Sequence, residues 1–172
     1  MNRQGVRMGR VSGVGLGGLM ALVALAAFTA GCAPTAGTTP KAGTSMSASI
    51  IDPYLRIHDA LADDQVDGIK AAAGQIATAA TALGAPAMKV DTTALQLSAA
   101  AEAVPADLKD VREKFGALSD ALVTYMNGEK LPAPEGVRTA FCPMAQKPWL
   151  QKGDAISNPY YGKEMPTCGE FR

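Results

Sequence analysis

The chain predicts an all-α domain: an antiparallel four-helix bundle with an irregular C-terminal tail packed on it. Three observations support this. Two segments, Val66–Leu83 and Leu108–Tyr125, carry apolar residues at alternating spacings of three and four, the period of one helix face. Helix-stopping residues separate the segments, so successive helices turn back on one another. No run of alternating polar and apolar residues is long enough to argue for strands.

Taken in order, the first helix opens at Asp52-Pro53, which supplies an N-cap and a first-turn proline, and places Tyr54, Ile57, His58 and Leu61 on one face. Asp63-Asp64 marks the turn. The second helix runs through Val66, Ile69, Ala73, Ile76, Ala80 and Leu83, and Gly84 with Pro86 closes it. A shorter third helix is capped at Asp91 or Thr92 and continues through Leu95 and Ala99 to about Ala103, ahead of Pro105. The fourth, Leu108, Val111, Phe115, Leu118, Leu122 and Tyr125, has its charges on the opposite face and stops at Asn127-Gly128. Its core is light, built from Ala, Leu, Val and Ile with few aromatics, so close helix packing must fill it.

Residues 1–31 read as a leader. Arg3, Arg7 and Arg10 precede an uncharged run, Val14–Ala30, which is short and glycine-rich for a membrane span. Thr29-Ala30-Gly31-Cys32 resembles the lipobox of bacterial lipoproteins, although Thr29 stands where leucine is usual. On that reading Cys32 is acylated and becomes the new N-terminus. Acyl chains hold it at a bilayer on the periplasmic side of the inner or outer membrane, with the folded part in water. Residues 32–49, rich in Ala, Thr, Ser, Gly and Pro, form a tether, and residues 50–172 form one helical domain with a Cys/Met-containing tail.

The precursor has 16 basic and 16 acidic residues, and three basic ones lie in the leader, which leaves a mature chain of about minus three. No basic patch interleaved with aromatics remains, which argues against nucleic acid as a partner. Catalysis finds little support either. His58 is the only histidine, no serine, histidine and carboxylate form a recognisable local motif, and Cys142 and Cys168 are too far apart for a thiol–disulfide enzyme motif. The chain therefore reads as a binding protein, not an enzyme.

The chemistry is concentrated between Phe141 and Gly169. Cys142 and Met144 open this stretch, Met165 and Cys168 close it, and between them lie Trp149, Asn158-Pro159, Tyr160, Tyr161 and Gly162. Four sulfurs thus arrive as two short pairs, with turn-forming residues that fold one pair back on the other. Thiolate and thioether are soft donors that favour Cu(I), and thiolate also suits zinc. In an exported protein the same two cysteines can instead close as a disulfide whose 26-residue separation is worth about 3.5 kcal/mol. A plain disulfide has no need of flanking thioethers, and this places the metal reading first. His58 reads either as a satisfied helix histidine or, if the tail folds against the first helix, as a borderline ligand added to the sulfurs. Trp149, Tyr160 and Tyr161 read as packing.

The run Cys142-Pro143-Met144-Ala145, Trp149-Leu150, Ile156, Asn158-Pro159-Tyr160-Tyr161-Gly162, Met165 and Cys168-Gly169 resembles the signature of a bacterial domain family of unknown function. Members occur alone in exported proteins or lipoproteins, or fused to the C-terminus of some CusB-type heavy-metal efflux adaptor subunits. The opening Tyr54-Leu55-Arg56-Ile57-His58-Asp59-Ala60-Leu61 is similar to that family's first helix. The resemblance implies copper or silver handling, with Cys142, Met144, Met165 and Cys168 as ligands and a heavy-metal efflux system as partner. It leaves the role of His58 open, and pump-adaptor activity does not follow, because the adaptor hairpin and barrel domains have no counterpart here.

Overall fold

The computed structural model describes residues 45–172; the leader, Cys32 and most of the tether lie outside them. Four helices come first, as the periodicity predicts: α1 (Ala48–Ala62), α2 (Ile69–Leu83), α3 (Met88–Glu102) and α4 (Leu108–Gly128). A single 3-10 turn, Ala85–Ala87, joins α2 to α3. Among the described residues no helix is long and apolar enough to cross a membrane.

The helix starts differ from expectation at three places. Helix α2 begins at Ile69 after Gly68, at φ 78°, so Val66, read as its first apolar position, lies in the loop before it. The N-cap of α1 is Ser47, whose hydroxyl accepts the Ser49 N–H, and Pro53 lies inside the helix. The helical domain thus reaches back into the segment read as tether, and Met46 is buried, its N–H donating to the Pro132 carbonyl at 3.0 Å. Helix α3 starts at Met88 and buries Val90, Thr93, Ala94 and Leu97, while Leu95, expected on the inner face, is 54 % exposed. An alanine-rich segment with one misplaced leucine gives little amplitude from which to phase a helix. The strongly periodic α4 agrees with expectation, burying Val111, Phe115, Leu118 and Leu122 and capped by Asp107, which accepts the Lys109 N–H at 2.9 Å.

The larger difference is in the tail, which is not irregular throughout. It forms a three-stranded antiparallel sheet of β1 (Val137–Cys142), β2 (Lys147–Lys152) and β3 (Glu170–Phe171), in the order β2-β1-β3. Ala140 pairs with Trp149, Cys142 with Lys147, and Phe141 with Glu170. The strand signal was hidden because β2 is not half-buried: Trp149, Leu150 and Gln151 are all fully buried, so alternation is lost. Pro148 is tolerated because β2 is an edge strand.

Helix α2 packs between α1 and α3, and α3 between α2 and α4, while β2 lies against both α4 and α1. The sheet therefore occupies the seam between the first and last helices. Tyr54 of α1, Phe115 of α4, and Tyr160 and Trp149 of the tail form a chain of aromatic contacts with centroid separations of 5.1, 5.9 and 5.9 Å. The Tyr54 hydroxyl bonds Ser119 Oγ at 2.6 Å and accepts the Leu150 N–H at 3.2 Å, tying α1, α4 and β2 at one buried point. Burial pushes the Tyr54 phenol far above its ordinary range, so it stays neutral.

Candidate metal centre

Strand β1 delivers Cys142 at its last position, fully buried. Residues 143–146 then turn back into β2, with Gln146 at φ 54°, and the Ala145 N–H donates to Cys142 Sγ at 3.3 Å. Cys168 arrives from the other direction. Its N–H donates to the Met165 carbonyl at 3.2 Å, and Gly169 leads directly into β3, whose pairing with β1 brings Cys168 beside Cys142. Glycine at 169 is dictated by space as well as by its φ of 150°: a Cβ there would lie 2.5 Å from the Trp149 ring and 3.1 Å from the Phe141 carbonyl oxygen. The two sulfurs end 3.9 Å apart, both as free thiols. Cys168 is half-buried; burial, and next the Cys142 sulfur, push its thiol up.

A buried amide lies beneath the pair. Asn158 Nδ2 donates to Cys142 Sγ at 3.4 Å and to the Cys168 carbonyl, while Oδ1 accepts the N–H groups of Tyr160 at 2.8 Å and Tyr161 at 3.2 Å. Its backbone also bonds Pro166 and Gly162. The turn it organises is clamped to the bundle by Arg112, which donates to the Pro159 and Leu61 carbonyls at 3.0 and 2.9 Å and pairs with Asp64. The hydrogen bond from Arg112 holds the Asp64 carboxyl below its ordinary value. Gly162 passes so close that a Cβ would lie 2.0 Å from Asp64 Oδ1 and 2.2 Å from Arg112 Nη2.

The remaining predicted ligands are placed less centrally. Met144 is in the hairpin turn, 64 % exposed, and Met165 is half-buried in the turn before Cys168. The tail does fold against the first helix at His58, as the sharper expectation required, but the imidazole is already engaged. Nε2 donates to the Ser157 carbonyl at 2.9 Å and Nδ1 faces Asp59 Oδ1 at 2.8 Å, so both ring nitrogens have oxygen neighbours in this arrangement. In this arrangement His58 docks the tail on α1 through the Ser157 carbonyl, one residue before Asn158. Among the described residues no group of three or more His, Cys, Asp or Glu side chains could hold a metal ion. Sequence reasoning missed Asn158 as a sulfur contact and Arg112 as the clamp. The first reads as an ordinary Asn-Pro turn and the second as one of several charges on the outer face of α4.

Fold and site together define a helical domain whose last seam is closed by a small sheet carrying a pair of neighbouring cysteines, one buried and one half-buried. Residues 50–132 match the model of a family described as "Protein of unknown function (DUF3347)". That match spans the four helices and ends before β1, so the Cys/Met tail, on which the resemblance in sequence chiefly rests, lies beyond it. No curated protein and no solved structure matches the chain.

Proposed function

We propose that this chain is an exported, lipid-anchored protein that binds one soft cation, Cu(I) foremost, between Cys142 and Cys168, as a buffer or donor in metal homeostasis or efflux. The observation that carries the reading is the 3.9 Å sulfur separation. With metal–sulfur bonds of about 2.3 Å, that separation corresponds to an S–M–S angle of roughly 115°, between the tetrahedral and trigonal values. A disulfide needs the sulfurs at about 2.05 Å. The pair thus has the bite of a chelating dithiolate without rearrangement.

Ligand count favours Cu(I) over zinc. Structural zinc is almost always four-coordinate with nitrogen, sulfur or carboxylate donors, whereas a soft monovalent ion is satisfied by two thiolates and a thioether. Met144 and Met165 are the thioethers within two and three residues of the pair, and Ag(I) would be taken by the same donors. Binding requires both thiols to lose their protons, with the Ala145 and Asn158 N–H groups compensating charge on Cys142. The protein's part is to hold and shield an ion, and no catalytic step is assigned. The heavy-metal efflux system named by the sequence resemblance is the proposed recipient.

The same contact supports a second reading, in which oxidation joins Cys142 to Cys168 and pins β3 to β1 in a non-catalytic structural or protein-interaction module, the methionines being packing. One sample separates the two. The protein is isolated from the cell envelope, and its non-reducing mass, free-thiol count and metal content are read together. Near one copper per chain, with two reactive thiols after the metal is stripped, supports the site. A mass two units below the reduced value, no free thiol, and no Cu(I) uptake after mild reduction leaves the structural module. For the anchor, labelled fatty acid is expected on the wild type and not on Cys32→Ser; an unlabelled wild type at full precursor mass overturns it.

A further inference from the structure

Asn158 is fully buried and every hydrogen-bonding position of its side chain is used. The direction of the amide is fixed by its partners. The Tyr160 and Tyr161 N–H groups can only donate and the Cys168 carbonyl can only accept, so Oδ1 must face the tyrosine backbone and Nδ2 the cysteines. One NH2 group therefore touches both arms of the pair, the sulfur of Cys142 and the backbone of Cys168.

We propose that Asn158 is the positioning residue of the cysteine pair, holding Cys142 Sγ away from Cys168 so that the pair persists as an open, chelating dithiol and resists closure to a disulfide. The assignment of the open pair to metal rests on the function proposed above; the effect on closure does not. Forming the disulfide moves the sulfurs together by about 1.9 Å and replaces an acceptor thiol or thiolate with a poorer acceptor. The Nδ2–H···Sγ bond is then weakened, so Asn158 selectively stabilises the open state. A metal bound between the sulfurs uses other lone pairs and leaves the bond in place, so the same contact favours the loaded site.

The balance of closure is simple: two thiols lose two protons and two electrons to a disulfide oxidant, such as oxidised glutathione, which is reduced to two thiols. The test is the equilibrium constant of that exchange in glutathione buffers for wild type and Asn158→Asp. Aspartate keeps an oxygen for the Tyr160 and Tyr161 N–H groups and loses both donors to the cysteines. We expect the disulfide to be favoured about tenfold more in the variant, a fall of about 30 mV in potential, with Cu(I) affinity reduced in parallel. A change under twofold in a variant whose circular dichroism is native overturns the inference, since a purely structural asparagine leaves the couple unmoved. If the variant does not fold, the wild type decides. In nitrogen-labelled protein the Asn158 side-chain amide proton that faces sulfur should move upfield on oxidation, and an unchanged resonance overturns the inference. A wild type that binds no Cu(I) but shows the redox shift would remove the metal function and leave this role for Asn158 standing.

Discussion

Replacing Trp149 by alanine tests whether the tail is part of the core or an appendage to it. The indole is fully buried, stands edge-on to Tyr160 with centroids 5.9 Å apart, and donates to Gln151 Oε1 at 2.9 Å. Truncation leaves no orphaned acceptor there, because Gln151 Oε1 still receives the Ser157 N–H at 3.1 Å. The cost is therefore one of lost contact and cavity, about 3–5 kcal/mol for a buried tryptophan, with roughly 0.5–1.5 kcal/mol for the aromatic pair within or above it. Against a total stability of about 5–15 kcal/mol, this is a large share. Because β2 fills the seam between α1 and α4, the loss should fall on the whole domain. Urea unfolding followed by the far-ultraviolet signal of the helices should shift its midpoint down by about 2–3 M if the denaturant slope is roughly 1.5 kcal/mol/M. In the wild type, helix signal and Trp149 fluorescence should unfold together. A helix midpoint within experimental error of wild type would show that the sheet is a separable attachment and refute the shared core.

Four further outcomes follow from the same contacts. Tyr54→Phe strips a hydroxyl that serves both Ser119 and the Leu150 N–H and should cost about 1–3 kcal/mol, read by the same urea titration; a neutral result would mean water takes over both partners. Gly162→Ala forces alanine to φ 52° and into Asp64 and Arg112; the backbone alone costs about 1–2 kcal/mol, and Asp64→Gly in the same chain should recover part of the loss. Since the Asp64 carboxyl is held below its ordinary value, its contribution is present above the unfolded value near pH 4 and lost as pH falls through the folded one. Asp64→Asn should accordingly flatten the acid limb of stability and leave the neutral region parallel to wild type. The raised Cys168 thiol acts in the opposite sense. Its contribution in the reduced protein is present below the unfolded value near pH 8.5 and lost as pH rises through the folded one, so Cys168→Ser should lessen the alkaline decline in melting temperature.

How much of this was legible in the sequence depended on how local each signal was. Helix α4 could be read closely, because Val111, Phe115, Leu118 and Leu122 repeat over about three turns and Asn127-Gly128 ends the run. Helix α3 could be recognised but not phased, since alanines on every face left Leu95 to suggest the wrong one. The sheet was not legible. Strand β2 is enclosed by helices as well as by its partner strand, and its run of Trp149, Leu150 and Gln151 carries no alternation. At the site, the approach of Cys142 to Cys168 was anticipated from turn residues between two sulfur pairs, and the structure brings those two sulfurs into contact. What lies around them was not: Asn158 and Arg112 act through tertiary hydrogen bonds that no spacing encodes, and the lone histidine bonds the tail at the Ser157 carbonyl.

The most direct test of the central claim is Cu(I) competition on the fully reduced domain. The wild type, Cys142→Ser, Cys168→Ser and Met144→Leu are each titrated against a chromophoric Cu(I) chelator under anaerobic conditions, with native mass spectrometry for stoichiometry. The account predicts one Cu(I) per wild-type chain, loss of competitive binding in either serine variant, and weaker binding with an intact fold in Met144→Leu. A reduced wild type that takes no Cu(I) from the chelator, or serine variants that bind as well as wild type, would contradict it.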